Sequence, residues 1–149
     1  MSEYKPSDIV VKSWARLIRA ANEALSAVES DLKRTGHPPL AWYDVLLELR
    51  RSGDDGLRPF ELERELLLAQ HNVSRLVDRL EAKGLVQRRP ADDDGRGQKI
   101  TITEAGRATL AKMWPDYAAA IQHHVGAKFH NEEEAQQLYL LTGRILGKT

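Results

Sequence analysis

Along residues 8 to 34 the apolar positions Val10, Trp14, Leu17, Ala21, Ala24, Val28 and Leu32 recur at steps of three and four. That period places them on one side of an α-helix. The seam is narrow and close to a heptad, the pattern of a helix that packs along its length against another, in the same chain or in a partner. Gly36 is a plausible helix end, and Pro38 and Pro39 block continuation. A second helix is predicted from Leu40, carried by Leu40, Val45, Leu46 and Leu49, until RSGDDG breaks it. In LRPFELERELL, Pro59 suits a first helical turn and Phe60, Leu62, Leu66 and Leu67 are expected to form one apolar face. After a turn at residues 68 to 70, HNVSRLVDRLEAKG predicts a helix on Val73, Leu76, Val77 and Leu80, stopped by Gly84.

The period then changes. LVQRR and QKITIT read as two short strands, the second with β-branched residues from Ile100 to Thr103. Between them lies a polar, glycine-flanked loop, so the pair predicts a hairpin. From Glu104 a helix is predicted to about Lys128, strained near Trp114 because Pro115 has no backbone N–H to donate. Asn131 followed by three glutamates reads as an N-cap with acids at the positive helix end. The last helix, to about Leu146, carries Ala135, Leu138, Leu141 and Ile145.

Composition narrows the class. The chain has 149 residues, 42% hydrophobic and 30% charged, which suits one compact domain or two small lobes sharing a core. No apolar run approaches the roughly 20 residues that span a bilayer, and the first residues lack the pattern of a signal peptide. A cytoplasmic protein with no membrane partner is expected. Cysteine is absent, which excludes disulfides, thiolate metal sites and thiol nucleophiles. Formal net charge is zero. Between residues 70 and 99, however, seven basic residues (Arg75, Arg79, Lys83, Arg88, Arg89, Arg96, Lys99) face five acidic ones (Asp78, Glu81, Asp92, Asp93, Asp94), a local net charge of +2.

Two short helices with a tight turn, followed by a hairpin with a charged tip, have the order of a winged helix-turn-helix. The fold class expected is therefore mainly α with a small β hairpin. An α-helix fits the major groove of DNA, and its outer face must then offer donors and acceptors to bases and phosphates. Asn72, Ser74, Arg75 and Arg79 are suitable types on the face opposite the apolar one. Any surface helix shows charged residues outside and leucines inside; the hairpin is what favours DNA. An arginine between two glycines, as at Arg96, is a probe with little side-chain bulk around it.

RLVDRLEAKGLVQRRPADDDGRGQKITITEAGR resembles the recognition helix, wing and following helix start of MarR-type transcription regulators, and LRPFELERELLLAQHNVSRLVDRLE extends the likeness upstream. The combination of RLVDRLE, KGLV, D-x-R and a strand entering TEAGR carries it over residues 57 to 107. The resemblance implies a homodimer on double-stranded DNA. Residues 8 to 34 and 104 to 147 would form a helical dimerisation region, and residues 40 to 103 a winged helix-turn-helix lobe with its wing at 88 to 100. Gln70, His71, Asn72, Ser74, Arg75 and Arg79 would lie on a recognition helix at 70 to 83. Asp94 and Arg96 would be the D-x-R of the wing, the arginine in the minor groove and the aspartate fixing the hairpin. Arg88, Arg89 and Lys99 are expected near phosphates.

Such proteins usually repress nearby genes and release DNA when a small aromatic or phenolic molecule binds. Trp14, His37, Trp42, Tyr43, Trp114 and Tyr117 fall in segments that the resemblance places near that effector site; core packing is the competing role for each. The wing departs from the family in its extra acids, Asp92 and Asp93, and in Gly95, where another base is common. The oxidation-sensing branch needs a cysteine and is excluded.

Rival classes have less support in the residues. A metal-responsive regulator would need clustered ligands, whereas His123 and His124 are adjacent and His37, His71 and His130 lie in unrelated elements. No cofactor is expected. An enzyme would need a catalytic motif, and G-x-S-x-G, H-E-x-x-H and the P-loop are all missing. A winged helix used for protein contacts would carry apolar residues on the face where this one is polar.

Overall fold

The computed structural model describes residues 4–91 and 97–148. Its elements run α1 (Asp8–Arg34), α2 (Leu40–Ser52), a 3₁₀ turn (Gly53–Asp55), α3 (Pro59–Glu65), α4 (Val73–Ala82), β1 (Val86–Pro90), β2 (Gln98–Ile102), α5 (Glu104–His124), a second 3₁₀ turn (Gly126–Lys128) and α6 (Glu132–Ile145). The mainly helical class with one hairpin agrees with the reading of the sequence. The chain divides into two compact units, one of residues 32–116 and one of residues 1–31 with 117–149. Helices α1 and α5 each pass from one unit into the other.

In the unit of residues 32–116 the core joins apolar faces that periodicity picks out to Leu110 and Met113 of α5, which it did not. Leu32, Leu40, Val45, Leu46, Leu49, Leu62, Val77, Leu80, Val86, Ile100, Leu110 and Met113 are all buried. Helix α4 ends where a left-handed residue is required. Gly84 has φ +74°, its N–H donates to Glu81 O at 2.9 Å, and Leu85 N–H donates to Leu80 O at 3.0 Å. Those two bonds satisfy carbonyls left over at the helix end and turn the chain into β1.

Strands β1 and β2 pair antiparallel with Val86 opposite Ile102, Arg88 opposite Ile100 and Arg89 opposite Lys99. A single antiparallel bridge, Leu57 to Ile100, adds a third extended segment to the β2 side. The β2 chain then enters α5 through Thr103, whose hydroxyl accepts from Gly106 N–H at 3.1 Å. Gly106 itself lies against the Leu85 carbonyl, so closely that a Cβ there would meet the oxygen at 2.3 Å.

Two expectations change. Phe60 and Leu67 do not share the buried face of Leu62: they are 59% and 74% exposed. Helix α3 has only seven residues and ends at Glu65, and at 3.6 residues per turn Phe60 points away from Leu62. Arg64 instead lies over the Phe60 ring at 5.5 Å. The helix from Glu104 also ends at His124, four residues earlier than expected, and tightens into the 3₁₀ turn.

The unit of residues 1–31 and 117–149 is different in character. Among its described residues the buried hydrophobic ones are Val28 and Ala120, while Ile9, Val10, Trp14, Leu138, Leu141 and Ile145 are exposed. Helix α6 has no buried residue. It is nonetheless well capped: Asn131 Oδ1 accepts from Glu134 N–H at 2.9 Å, and Glu134 Oε1 accepts from His130 N–H at 2.7 Å.

Candidate nucleic-acid interface

The site begins at the turn between α3 and α4. Asp44 on α2 is buried, and its carboxylate accepts from Leu67 N–H at 3.0 Å and Leu68 N–H at 2.8 Å. Those N–H groups follow the end of α3 and have no helical partner of their own. A buried carboxylate taking both of them fixes the turn and satisfies itself. Asn72 then caps α4, its Oδ1 accepting from Arg75 N–H at 3.0 Å. The register of α4 is thus set from two directions, and Ser74, Arg75, Asp78 and Arg79 are exposed opposite Val73, Leu76, Val77 and Leu80.

Arg88 on β1 joins the hairpin to α4. Its Nη1 lies 2.7 Å from Asp78 Oδ1 and 3.0 Å from Glu81 Oε1, and its Nη2 donates to the Ser74 carbonyl at 3.1 Å. Its backbone N–H donates to Glu81 Oε2 at 3.1 Å. Residues 74, 78 and 81 lie on one stripe of the helix, so one guanidinium holds α4 along two turns. The side chain retains only 16% exposure. As a residue on the same strand face as buried Val86, it turns inward toward α4, where two carboxylates and a carbonyl use its donors.

Arg89 alternates to the other face and donates from Nη2 to the Asp54 carbonyl. Lys99, opposite it on β2, is half-buried. At the root of the wing Gly97 has φ +70°, and a Cβ there would lie 3.2 Å from Arg58 Nη1. The positive φ and the close guanidinium both favour glycine.

Of the residues expected on the recognition helix, Ser74, Arg75 and Arg79 lie on α4 and are exposed. Gln70, His71 and Asn72 precede it, because the helix starts at Val73 with Asn72 as its cap. Asp94 and Arg96, with Asp92 and Asp93, lie outside the described residues. Reading the sequence missed two contributors. Asp44, an acid inside the apolar run WYDVLL, carried a detectable signal, since a charge there is tolerated only with partners. Arg58 carried none, because the pairing of its neighbour Leu57 with Ile100 is what brings it to the wing root.

The aromatic residues divide between the units. In residues 32–116, Tyr43 stacks on Trp114 with ring centroids 6.4 Å apart, and His37 Nε2 lies 2.7 Å from Asp116 Oδ2. His37 is 7% exposed in its side chain and Asp116 50%, so this pair has one buried and one solvated end. Burial raises the Tyr43 phenol above its ordinary pKa, partly opposed by Arg50 and Arg51. Burial likewise raises Glu48 on α2, with Arg51 opposing it and Asp44 and Glu65 adding to it. Trp42 is half-buried on α2. Trp14 and Tyr117 belong to the other unit, where His124 Nε2 lies 2.8 Å from Asp31 Oδ2. Among the described residues no group of three or more metal-ligating side chains converges, and no helix is long and apolar enough to cross a membrane.

Two short helices joined by a clamped turn, the second polar on its outer side and tied to a two-stranded wing, define a winged helix-turn-helix. The sequence profile of the MarR family matches residues 33–97. An HTH-type transcriptional regulator from Bacillus cereus is 33% identical over 132 residues, covering 89% of this chain and 85% of that protein. A MarR family transcriptional regulator from Streptomyces coelicolor, solved in complex with DNA, superposes with a TM-score of 0.79 and 25% identity, over 96% of this chain and 92% of that one. A MarR-like regulator from Bacillus cereus shares the fold with a TM-score of 0.80 at 15% identity, over 96% and 100% of the two chains. The chain belongs to the MarR family of helix-turn-helix transcription regulators.

Proposed function

We propose that this protein represses transcription as a homodimer on a pseudopalindromic operator and is released by a small aromatic or phenolic effector. One observation carries the DNA reading: α4 presents Ser74, Arg75 and Arg79 outward from a helix whose start is fixed by Asn72 and whose turn is fixed by Asp44. Arginine and serine there suit base edges and phosphates of the major groove. The wing arginine, Arg96, is assigned to the minor groove by resemblance. That a similar MarR family regulator from Streptomyces coelicolor was solved in complex with DNA supports DNA as the partner.

Two copies are proposed because the helices outside the lobe are exposed where they are apolar. Ile9, Val10, Trp14 and Ile18 on α1, and Leu138, Leu141 and Ile145 on α6, are all exposed, and apolar side chains left exposed along a helix suit a partner surface. A dimer then places two α4 helices on half-sites about 34 Å apart. The effector reading rests on the Tyr43–Trp114 stack and the neighbouring His37–Asp116 pair of the same unit, an apolar surface with polar handles. An effector acts only through its different affinity for the DNA-fitting and mismatched states of the dimer.

Selection of bound duplexes from random sequence at low salt tests this. The expected product is a palindrome with half-sites one helical turn apart. Absence of any enrichment refutes a sequence-specific regulator.

A further inference from the structure

The surface that α1 leaves uncovered has a counterpart of opposite charge on α6 of the same unit. Between Asp8 and Glu23 every residue of α1 is exposed except Leu17, which is half-buried. Helix α6 has no buried residue. Helices in proteins draw most of their stability from packing an apolar face, and in the single chain these two helices lack that cover.

Their charges differ. Lys12, Arg16 and Arg19 follow one another at steps of four and three, so they share one side of α1. With Ala15, Ala20 and Glu23 they line a shallow groove. None of the three cations pairs with another described residue, and like charges at these spacings destabilise a helix left to itself. The two alanines allow a second helix to approach closely.

The first turn of α6 is Glu132, Glu133 and Glu134. Glu134 is occupied, its Oε1 accepting from His130 N–H at 2.7 Å and its own N–H donating to Asn131 Oδ1 at 2.9 Å. Glu132 and Glu133 are exposed. Their carboxylates therefore face outward from the same helix that carries the uncovered Leu138 and Leu141.

We propose that the basic groove of α1 is covered by the acidic first turn of α6 from a second copy of this chain. The proposal rests on the homodimer reading above and commits it to one arrangement. In a twofold dimer the contact occurs twice, α1 of each copy lying against α6 of the other. Charges at an interface exclude wrong pairings and fix register more than they add affinity. The apolar side chains hold the copies together, and the ionic rows decide which helix covers which.

Exchange of the charges, read by sedimentation, tests this. Arg16→Glu with Arg19→Glu sets acid against acid at both contacts and should weaken the dimer by on the order of 100-fold. Glu132→Lys with Glu133→Lys should do the same. All four changes in one chain restore opposite signs at both contacts and leave the formal net charge at zero, so the dimer should return. An equal mixture of the two double variants should form a mixed dimer that neither forms alone. A quadruple variant that keeps its helicity and stays monomeric overturns the proposal.

Lysines in a first turn also oppose the helix dipole. Should the lysine chains lose helicity, Glu132→Gln with Glu133→Gln decides: the dimer should weaken and its affinity should depend less on salt, and an unchanged salt dependence overturns the pairing. If the native chain is a dimer and Arg16→Glu with Arg19→Glu leaves it so, only this inference fails. A native monomer ends the homodimer reading itself. A native monomer that sediments with anionic lipid vesicles, and no longer does so after Arg16→Glu with Arg19→Glu, gives the groove to a lipid surface and overturns both.

Discussion

The Arg88 guanidinium stands 2.7 Å from the Asp78 carboxylate, joining the first wing strand to the exposed side of α4. Asp78 and Glu81 would oppose phosphates if left unpaired, and Arg88 neutralises them while fixing the hairpin's angle to the helix. The Asp78 and Glu81 side chains are 62% and 43% exposed, so the pairs add at most about 1 kcal/mol to stability. Arg88→Met should therefore fold with nearly native Tm and bind duplex DNA more weakly. Adding Asp78→Asn and Glu81→Gln should recover much of that loss. Strict additivity of the two changes, measured by fluorescence anisotropy, assigns Arg88 to a phosphate instead.

Asp44→Ala strands the Leu67 and Leu68 N–H groups at the helix-turn-helix corner. Each unsatisfied donor costs about 1–3 kcal/mol when buried, and these are part-buried. A total near 2 kcal/mol is expected, which lowers Tm by roughly 4–8 °C in a chain of this length. Asp44→Asn, with a single acceptor oxygen, should fall between. Thermal unfolding of the three proteins checks the order, and an unchanged Tm for Asp44→Ala excludes the clamp.

Periodicity made the helices of both units legible because a helix with one apolar face carries a 3.6-residue period, whether that face is buried, as in residues 32–116, or exposed, as on α6. It misassigned Phe60 and Leu67 because a two-turn helix is too short for the pattern to be distinguished from chance. Charge type alone placed Arg88 with Arg89 on phosphates; strand alternation sends them to opposite faces, and only the pairing register reveals it. The same register explains why Arg58 was invisible, since its neighbours Lys99 and Gly97 are some forty residues away in sequence. The caps Asn72 and Asn131 and the stop at Gly84 were readable because each is a local contact within a few residues.

Glu48 supplies a pH prediction. Burial raises its folded-state pKa above the ordinary 4.5, so folding favours its protonated form. Its contribution is most favourable below the unfolded pKa and is lost as pH rises through the folded one. At neutral pH the charged form is held at a cost that Arg51, 2.8 Å away, only partly offsets. Glu48→Gln should match or exceed the native Tm at pH 7, and the gap should narrow as the pH falls, because native Glu48 takes up its proton at a higher pH than an ordinary carboxylate. A Glu48→Gln protein that is less stable at pH 7 and gains on acidification reverses the sign and refutes the assignment.

The Tyr43–Trp114 stack offers an optical handle on the proposed effector. A phenolic ligand seated there should quench Trp114 emission at the concentrations that weaken operator binding. Trp114→Phe should remove that part of the quenching while the remaining tryptophans, Trp14 and Trp42, still fluoresce. Quenching that survives Trp114→Phe in full, together with an unchanged release concentration, places the ligand elsewhere.

Helix α6 tests the assembly. Its Leu141 and Ile145 are 53% and 70% exposed, and a glutamate at either position would introduce a charge into an apolar seam if that seam is covered by a second copy. Leu141→Glu and Ile145→Glu should shift sedimentation toward the monomer while leaving the helical content of the lobe intact, because neither residue belongs to residues 32–116. A monomer holds one half-site, so affinity for the full operator should fall by about 100-fold or more as the linked second contact is lost. Affinity for an isolated half-site should stay near the native value, since α4, Asp44 and Arg88 are untouched. Native sedimentation of both variants would mean that α6 is not the covered face. Loss of half-site binding along with the dimer would mean that the lobe cannot hold α4 in place without its partner.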